Sequence, residues 1–232
     1  MRRLLAIVVR FNHLLPVTPA SDIGSMKTAR TIAVFDFDGT LTTRDSFLAF
    51  IRYAHGSWRY YAGFALHAPM LILMLVGLYS GSKAKQRIFA HFFKGWQYSR
   101  FKSLGQSFYT EIEKIRNEKV INKMQEHITN GHTVYVISAS LPEWLEPWCL
   151  KQGVKAVIAT EIEVDDSGIV TGRFKTKNCS GQEKVKRLLE IEPDREEYFL
   201  YAYGNSSGDK QLLSFADQST LVTASKSDEK HQ

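Results

Sequence analysis

The sequence predicts an α/β fold, a parallel sheet core with a helical cap inserted after its first strand. Three observations lead there. Apolar runs rich in β-branched and aromatic residues recur at 31–35, 132–137 and 198–203, and each ends in small polar residues. The stretch between the first two runs is helical in character to about residue 130. With 232 residues, 44% hydrophobic and 23% charged, the chain is long enough to bury a sizeable core.

The first element is Thr31-Ile32-Ala33-Val34-Phe35, a buried strand broken by Gly39-Thr40. It delivers Asp36 and Asp38 at its carboxyl end, where open α/β sheets hold their ligands. A period of two would point both acids the same way, but Gly39 turns the chain there, so each can take a separate job. A bare pair of acids two residues apart reads as an ordinary acidic turn. The full string Asp36-Phe37-Asp38-Gly39-Thr40-Leu41-Thr42 after a strand points to chemistry instead. Thr40 and Thr42 are expected to fix the loop. Arg44 and Asp45 begin the cap, facing either the pocket or solvent.

The second strand, His132–Ile137, ends in Ser138-Ala139-Ser140. Ser138 is placed either to offer its hydroxyl to a phosphate oxygen or to cap the helix that begins near Pro142-Glu143. Val157–Val164 and Ile169–Phe174 flank Asp165-Asp166-Ser167-Gly168, a hairpin signal. Asn178–Leu188 then reads as a turn feeding a helix, with Lys184 in its first turn. A helix N-terminus favours acids, so a cation there suggests a nearby anion. Lys186 and Arg187 are expected on the solvated face. The strand Tyr198–Tyr203 ends in Gly204-Asn205-Ser206-Ser207-Gly208-Asp209. Asn205 and Asp209 are oxygen donors of the kind Mg²⁺ takes, or alternatively members of an Asx-rich turn before the helix Lys210–Leu213.

Lys+Arg exceed Asp+Glu by 30 to 24, giving net +6 and a pI near 9.2. No arginine-rich stripe or interleaved aromatic platform accompanies this charge, so no nucleic acid partner is expected. A phosphorylated substrate, an anionic membrane surface or a plain solvated surface fits the balance. Cys149 and Cys179 make neither a metal-ligand spacing nor a disulfide framework and suit a reducing compartment.

The start Met1-Arg2-Arg3 followed by Leu4–Val9 imitates a signal peptide, but Arg10 interrupts an apolar stretch of six residues. Residues 1–25 are read as a disordered extension or an over-long start, with Met26 as the true beginning; without them the net charge is +4. The chain thus divides into an extension at 1–29, a core at 30–44 and 128–225, a cap at 45–127 and a tail at 226–232.

Within the cap, the 23 residues between Arg59 and Lys83 contain no Asp, Glu, Lys or Arg. As one helix they would reach about 35 Å, enough to cross a bilayer. If Asp36, which precedes the segment, meets Ser138, Lys184 and Asp209, which follow it, around one ligand, as the resemblance given below implies, a single crossing is excluded. A re-entrant or interfacial hairpin over 60–82, or a buried pair of cap helices, remains; Pro69 and Gly77 favour a bent or paired arrangement. Trp58, Tyr60, Tyr61 and Tyr79, with Arg59, Lys83, Lys85 and Arg87, would suit a bilayer interface.

Taken together, the carboxylate pair, Ser138, Lys184 and the Asn205–Asp209 motif resemble the four motifs of the haloacid dehalogenase-like superfamily. The resemblance covers roughly residues 30–225 and is nearest the phosphoserine-phosphatase-like branch, with a Rossmann-like core and a helical cap. The stretch Val157–Leu188 resembles that branch's membrane-associated type C phosphatidylglycerophosphatases. The resemblance implies a Mg²⁺-dependent phosphomonoester phosphatase working through an aspartyl-phosphate. Asp36 would be the nucleophile and Asp38 the acid and base, with a raised pKa. Ser138 and Lys184 would bind phosphate, and Asp36, the Asp38 backbone carbonyl, Asn205 and Asp209 would hold Mg²⁺. Many relatives carry Asp at the position of Asn205, so weaker metal binding is expected here. The apolar cap suggests a lipid phosphate such as phosphatidylglycerophosphate, at the cytoplasmic inner face of a membrane. The alternatives are a small soluble phosphate such as phosphoserine, or an inactive membrane-associated binding module.

Overall fold

The first apolar run becomes the centre of the molecule. In the computed structural model, which describes residues 30–223, Arg30–Phe35 forms strand β1. The predicted extension and start site, and the tail at 226–232, lie outside the described residues. After a tight turn at Phe37–Leu41 the chain enters helices α1 (Ser46–Leu66), α2 (Ala68–Leu75), α3 (Gly81–Phe93), α4 (Tyr98–Ser107), α5 (Tyr109–Lys114) and α6 (Glu118–Thr129). It returns through strand β2 (Thr133–Ser138), α7 (Pro142–Lys151), β3 (Ala156–Ala159), β4 (Ile162–Val164) and β5 (Val170–Phe174). Helix α8 (Gln182–Ile191), β6 (Tyr198–Gly204), α9 (Lys210–Phe215) and β7 (Gln218–Leu221) complete the described chain.

The main sheet has the order β3-β2-β1-β6-β7, and every pair in it is parallel. Helices cover both faces, so β1 is apolar and buried from Ile32 to Phe35. Ile32 and Val34 face Ile137, Leu188 and Leu200; Ala33 and Phe35 face Met124, Val134 and Val136. The chain moves outward from β1 on one side through β2 and β3, then on the other through β6 and β7. The carboxyl ends of β1 and β6 therefore flank the switch point, where such sheets open a crevice.

Two strands depart from expectation. The run Val157–Val164, read as one arm of a hairpin, divides: β3 joins the main sheet and only β4 pairs with β5. The break falls at the buried Thr160, whose N–H donates to the Ser140 carbonyl (3.1 Å) and whose hydroxyl accepts from the Cys179 N–H (3.0 Å). Strand β7 is polar and exposed and exists because β6 offers it a free edge.

The insertion leaves and rejoins the core through two adjacent strands of chain. Thr43 N–H donates to Ile115 O (2.7 Å) and Asn117 N–H to Leu41 O (2.9 Å). Beyond that point α6 packs on the sheet beside Phe35. Inside the insertion, α1 breaks at Gly56, whose φ of +74° suits glycine. Phe50 stacks on Trp144 of α7 (4.4 Å between centroids) and meets Phe93, Phe101 and Phe108. Among the described residues, no helix is long and apolar enough to cross a membrane. The apolar segment instead folds as the second half of α1, the short α2 and a turn.

Candidate active site

The end of β1 delivers Asp36, buried at the switch point. Its Oδ1 lies 2.5 Å from the Lys184 Nζ, and its Oδ2 accepts from the Thr40 hydroxyl at 3.1 Å. Lys184 rises from the first turn of α8 and also donates to Asp209 Oδ1 at 2.6 Å. The anion expected beside this misplaced cation is thus a pair of carboxylates. Burial alone would lower the Lys184 pKa, but Asp36 and Asp209 outweigh it and push it up to about 12. Burial pushes Asp36 up to about 6 against the pull of Lys184, so Asp36 is ionised at neutral pH.

Asp209 is held by its own motif. Its Oδ2 accepts from the N–H groups of Asn205 (3.1 Å) and Ser206 (3.0 Å) and from the Ser206 hydroxyl (2.7 Å). Burial raises this carboxyl, yet Lys184 and the Ser206 donors win and hold it below its ordinary range. Asn205 lies over Gly39: a Cβ there would come within 2.0 Å of the Asn205 Nδ2. Gly39 also has φ +75°, so both the turn and the close approach require glycine.

Asp38 sits in a separate cradle. Its Oδ1 accepts from the Ser46 N–H at the start of α1 (2.6 Å), and its Oδ2 from the Ser140 hydroxyl (2.5 Å). The Ser46 hydroxyl is 3.3 Å from that of Ser140 and accepts from the Trp144 indole N–H at 3.0 Å. Burial, followed by Asp45, raises the Asp38 pKa against these donors and Lys85. The direction is the one expected for an acid–base group. Ser138 is buried at the end of β2, where its hydroxyl accepts from the Ser140 N–H at 3.0 Å.

Three contributors were not among the expected site residues. Ser140 stands two residues beyond Ser138, the spacing that puts alternate residues on one side of a strand end. Ser46 arrives with the N-terminus of α1, which Asp45 caps by accepting the Leu48 N–H at 2.9 Å. Lys85, expected at a bilayer interface, points inward instead: it donates to the Ala139 carbonyl (3.0 Å) and lies over the Phe47 ring (4.8 Å). Burial lowers its pKa, with Asp38 and Asp45 pulling the other way. Thr40 and Thr42 fix the loop as expected, Thr42 donating to the Phe37 and Arg44 carbonyls. Arg187 is not purely solvated, since it donates to the Ala159 carbonyl and packs beside Glu161.

The arrangement supplies a carboxylate paired with an ammonium, a second carboxyl whose pKa burial raises, and a third acid on the far side of that ammonium. By donor chemistry, Asp36, the Asp38 carbonyl, the Asn205 amide and Asp209 suit a hard cation such as Mg²⁺, which takes few protein ligands and completes its shell with water and phosphate. Among the described residues, no group of three or more Asp, Glu, His or Cys side chains is arranged to hold a metal ion, so the backbone carbonyl and the Asn205 amide would have to complete this one.

The model of the haloacid dehalogenase-like hydrolases matches residues 33–214. Protein CicA of Caulobacter vibrioides is 29% identical over 197 residues, covering 84% of this chain and 87% of its own. The probable phosphatase Rv3661 of Mycobacterium tuberculosis is 27% identical over 214 residues, covering 89% and 72%. A substrate-bound phosphoserine phosphatase shares the fold with a TM-score of 0.59 at 16% identity, over 82% of this chain and 84% of that one.

Proposed function

The chain belongs to the haloacid dehalogenase-like hydrolase family, and from that premise we propose that it is a Mg²⁺-dependent phosphomonoester phosphatase acting through an aspartyl-phosphate. The observation that carries the reading is the division of labour between the two acids. Asp36 is ionised and paired with Lys184, while Asp38 is raised and held by different donors. Relatives named as phosphatases support the same activity.

Hydrolysis of a phosphate monoester needs a nucleophile, proton transfer and charge neutralisation together. An Asp36 carboxylate oxygen attacks phosphorus, and the bond to the leaving alkoxide breaks. Asp38 gives that oxygen its proton. The resulting carboxylate then takes a proton from water, whose oxygen attacks the aspartyl-phosphate and restores Asp36 with release of phosphate. Lys184 holds Asp36 in place and carries positive charge to the transferring oxygens. Ser138 contributes a hydroxyl at the same strand end, and Lys85 adds positive charge beside Asp38. Asp36, the Asp38 carbonyl, Asn205 and Asp209 would hold Mg²⁺, which would supply positive charge that screens the attacking carboxylate from the phosphate. With an amide at Asn205 the site has one negative charge fewer than an all-carboxylate one, so Asn205→Asp should tighten it.

The exposed apolar cap favours a lipid phosphate, of which phosphatidylglycerophosphate is one example, met at a membrane surface on the cytoplasmic side. A small soluble ester such as phosphoserine is the second reading, favoured by the likeness to phosphoserine phosphatase. Phosphate release should be measured from detergent-dispersed lipid phosphates and from a soluble panel, each with and without Mg²⁺. Lipid-selective, Mg²⁺-dependent release is expected; no release from any monoester would contradict the proposal.

A further inference from the structure

Helix α2, Ala-Pro-Met-Leu-Ile-Leu-Met-Leu, is apolar on every side, yet none of its residues is buried. A helix apolar all round normally lies in a core or in lipid. The surface continues beyond it: Trp58 is 82% exposed, Leu75 79% and Leu78 76%, with Tyr61, Leu66, Ile72 and Val76 also open. Contiguous apolar surface of this kind marks a place of contact.

The charge around it is one-sided. From Ser46 to Thr110 there is no Asp or Glu, and there are eight Lys or Arg residues. Among the described residues, none of the eight makes an ion pair. Arg52, Arg59, Lys83 and Arg87 are exposed beside the hairpin. Helix α3 links this surface to the site. A Cβ on Gly81 would lie 3.9 Å from the Met74 sulfur, and Lys85, one helical turn or about 6 Å further along α3, donates to the Ala139 carbonyl at 3.0 Å, between Ser138 and Ser140.

We propose that the hairpin formed by the second half of α1, α2 and the start of α3 docks on an anionic bilayer, with α2 and its turn entering one leaflet. At eight residues α2 is far too short to cross. Trp58 and Tyr61 take the headgroup level, and the exposed cations meet anionic lipid. A second copy using the same face would set two acid-free, cationic caps against each other, which like charge opposes. Docking stands on its own. Its consequence, that the site meets phosphomonoesters presented at that surface, rests on the phosphatase reading.

Flotation of the full chain with phosphatidylcholine vesicles, with and without phosphatidylglycerol, tests the docking. Wild type is expected to float with the anionic vesicles and to lose binding as salt rises. The Leu75→Glu/Leu78→Glu variant should bind at least about tenfold less, since two apolar anchors are lost, with unchanged circular dichroism and thermal unfolding. Arg59→Gln/Lys83→Gln should weaken only the dependence on anionic lipid. Asp36→Asn should float like wild type, so a failure of the phosphatase reading leaves this result intact. Wild type remaining with the unbound protein, or the double Glu variant floating as well as wild type, overturns the proposal. So does a wild-type dimer in ultracentrifugation that the double Glu variant abolishes.

Discussion

The cap and the core solve opposite problems with charge. The cap stretch Ser46–Thr110 has eight cations and no acid, whereas all 24 acids lie elsewhere, against 22 cations. In the core, charge is paired even where it is buried: Lys184 serves both Asp36 and Asp209. In the cap stretch Ser46–Thr110, cations stand without carboxylate partners, and apolar side chains such as Trp58, Leu75 and Leu78 face outward. Buried, paired charge gives a defined site, since removing one partner would strand the other. Unpaired charge beside exposed apolar surface leaves the cap complementary to something outside the chain.

The cap's own interior contrasts most with its outer surface. Phe50 joins the cap to α7 through its stack on Trp144, so Phe50→Ala should cost about 3–5 kcal/mol in denaturant unfolding. Leu75→Ala, at an exposed position, should stay within about 0.5 kcal/mol. Equal costs would mean that the two apolar surfaces of the cap are not distinct. Next in size, Ser140→Ala removes a donor that stabilises the Asp38 carboxylate. Its pH–rate profile should show the Asp38 limb moved upward and the rate reduced about 10- to 100-fold. An unchanged profile would remove Asp38 from acid–base work.

The smallest effect belongs to the core. His127 is buried between His132 and Tyr203, its Nδ1 2.8 Å from the His132 Nδ1 and its Nε2 2.8 Å from the Tyr203 hydroxyl. With Tyr203 donating to Nε2, the proton on Nδ1 points to His132, which fits a neutral ring. Burial, then His132, lowers the His127 pKa from 6.5 to about 4. The unfolded chain therefore binds a proton that the folded one refuses, and stability should fall as pH drops from 6.5 towards about 4. The loss should be on the order of 2 kcal/mol. Denaturant midpoints across that range, compared with His127→Phe, isolate it; equal slopes would contradict it.

What the sequence made legible was local. Each strand end carries its chemistry within a few residues, so Asp36, Asp38, Ser138, Lys184 and Asp209 could be picked out from punctuation and spacing. The structure brings Asp36, Lys184 and Asp209 into direct contact. What escaped depends on tertiary return. Ser46 reaches Asp38, and Lys85 the Ala139 carbonyl, because the cap folds back over the end of β2, and nothing in their neighbours signals it. Thr160 divides a continuous β-forming run because Ser140 and Cys179 bind it from afar. Strand β7 is polar, and only the open edge of β6 makes it a strand.

As the proposed nucleophile, Asp36 would form a covalent bond to phosphorus in each turnover. Acid-quenching the enzyme during turnover of a phosphomonoester and mapping the peptides by mass spectrometry tests it directly. One phosphoryl group on the Asp36 peptide, absent in Asp36→Asn, is the expected result. Steady turnover with no phosphoryl group on that peptide, or undiminished turnover by Asp36→Asn, would contradict it.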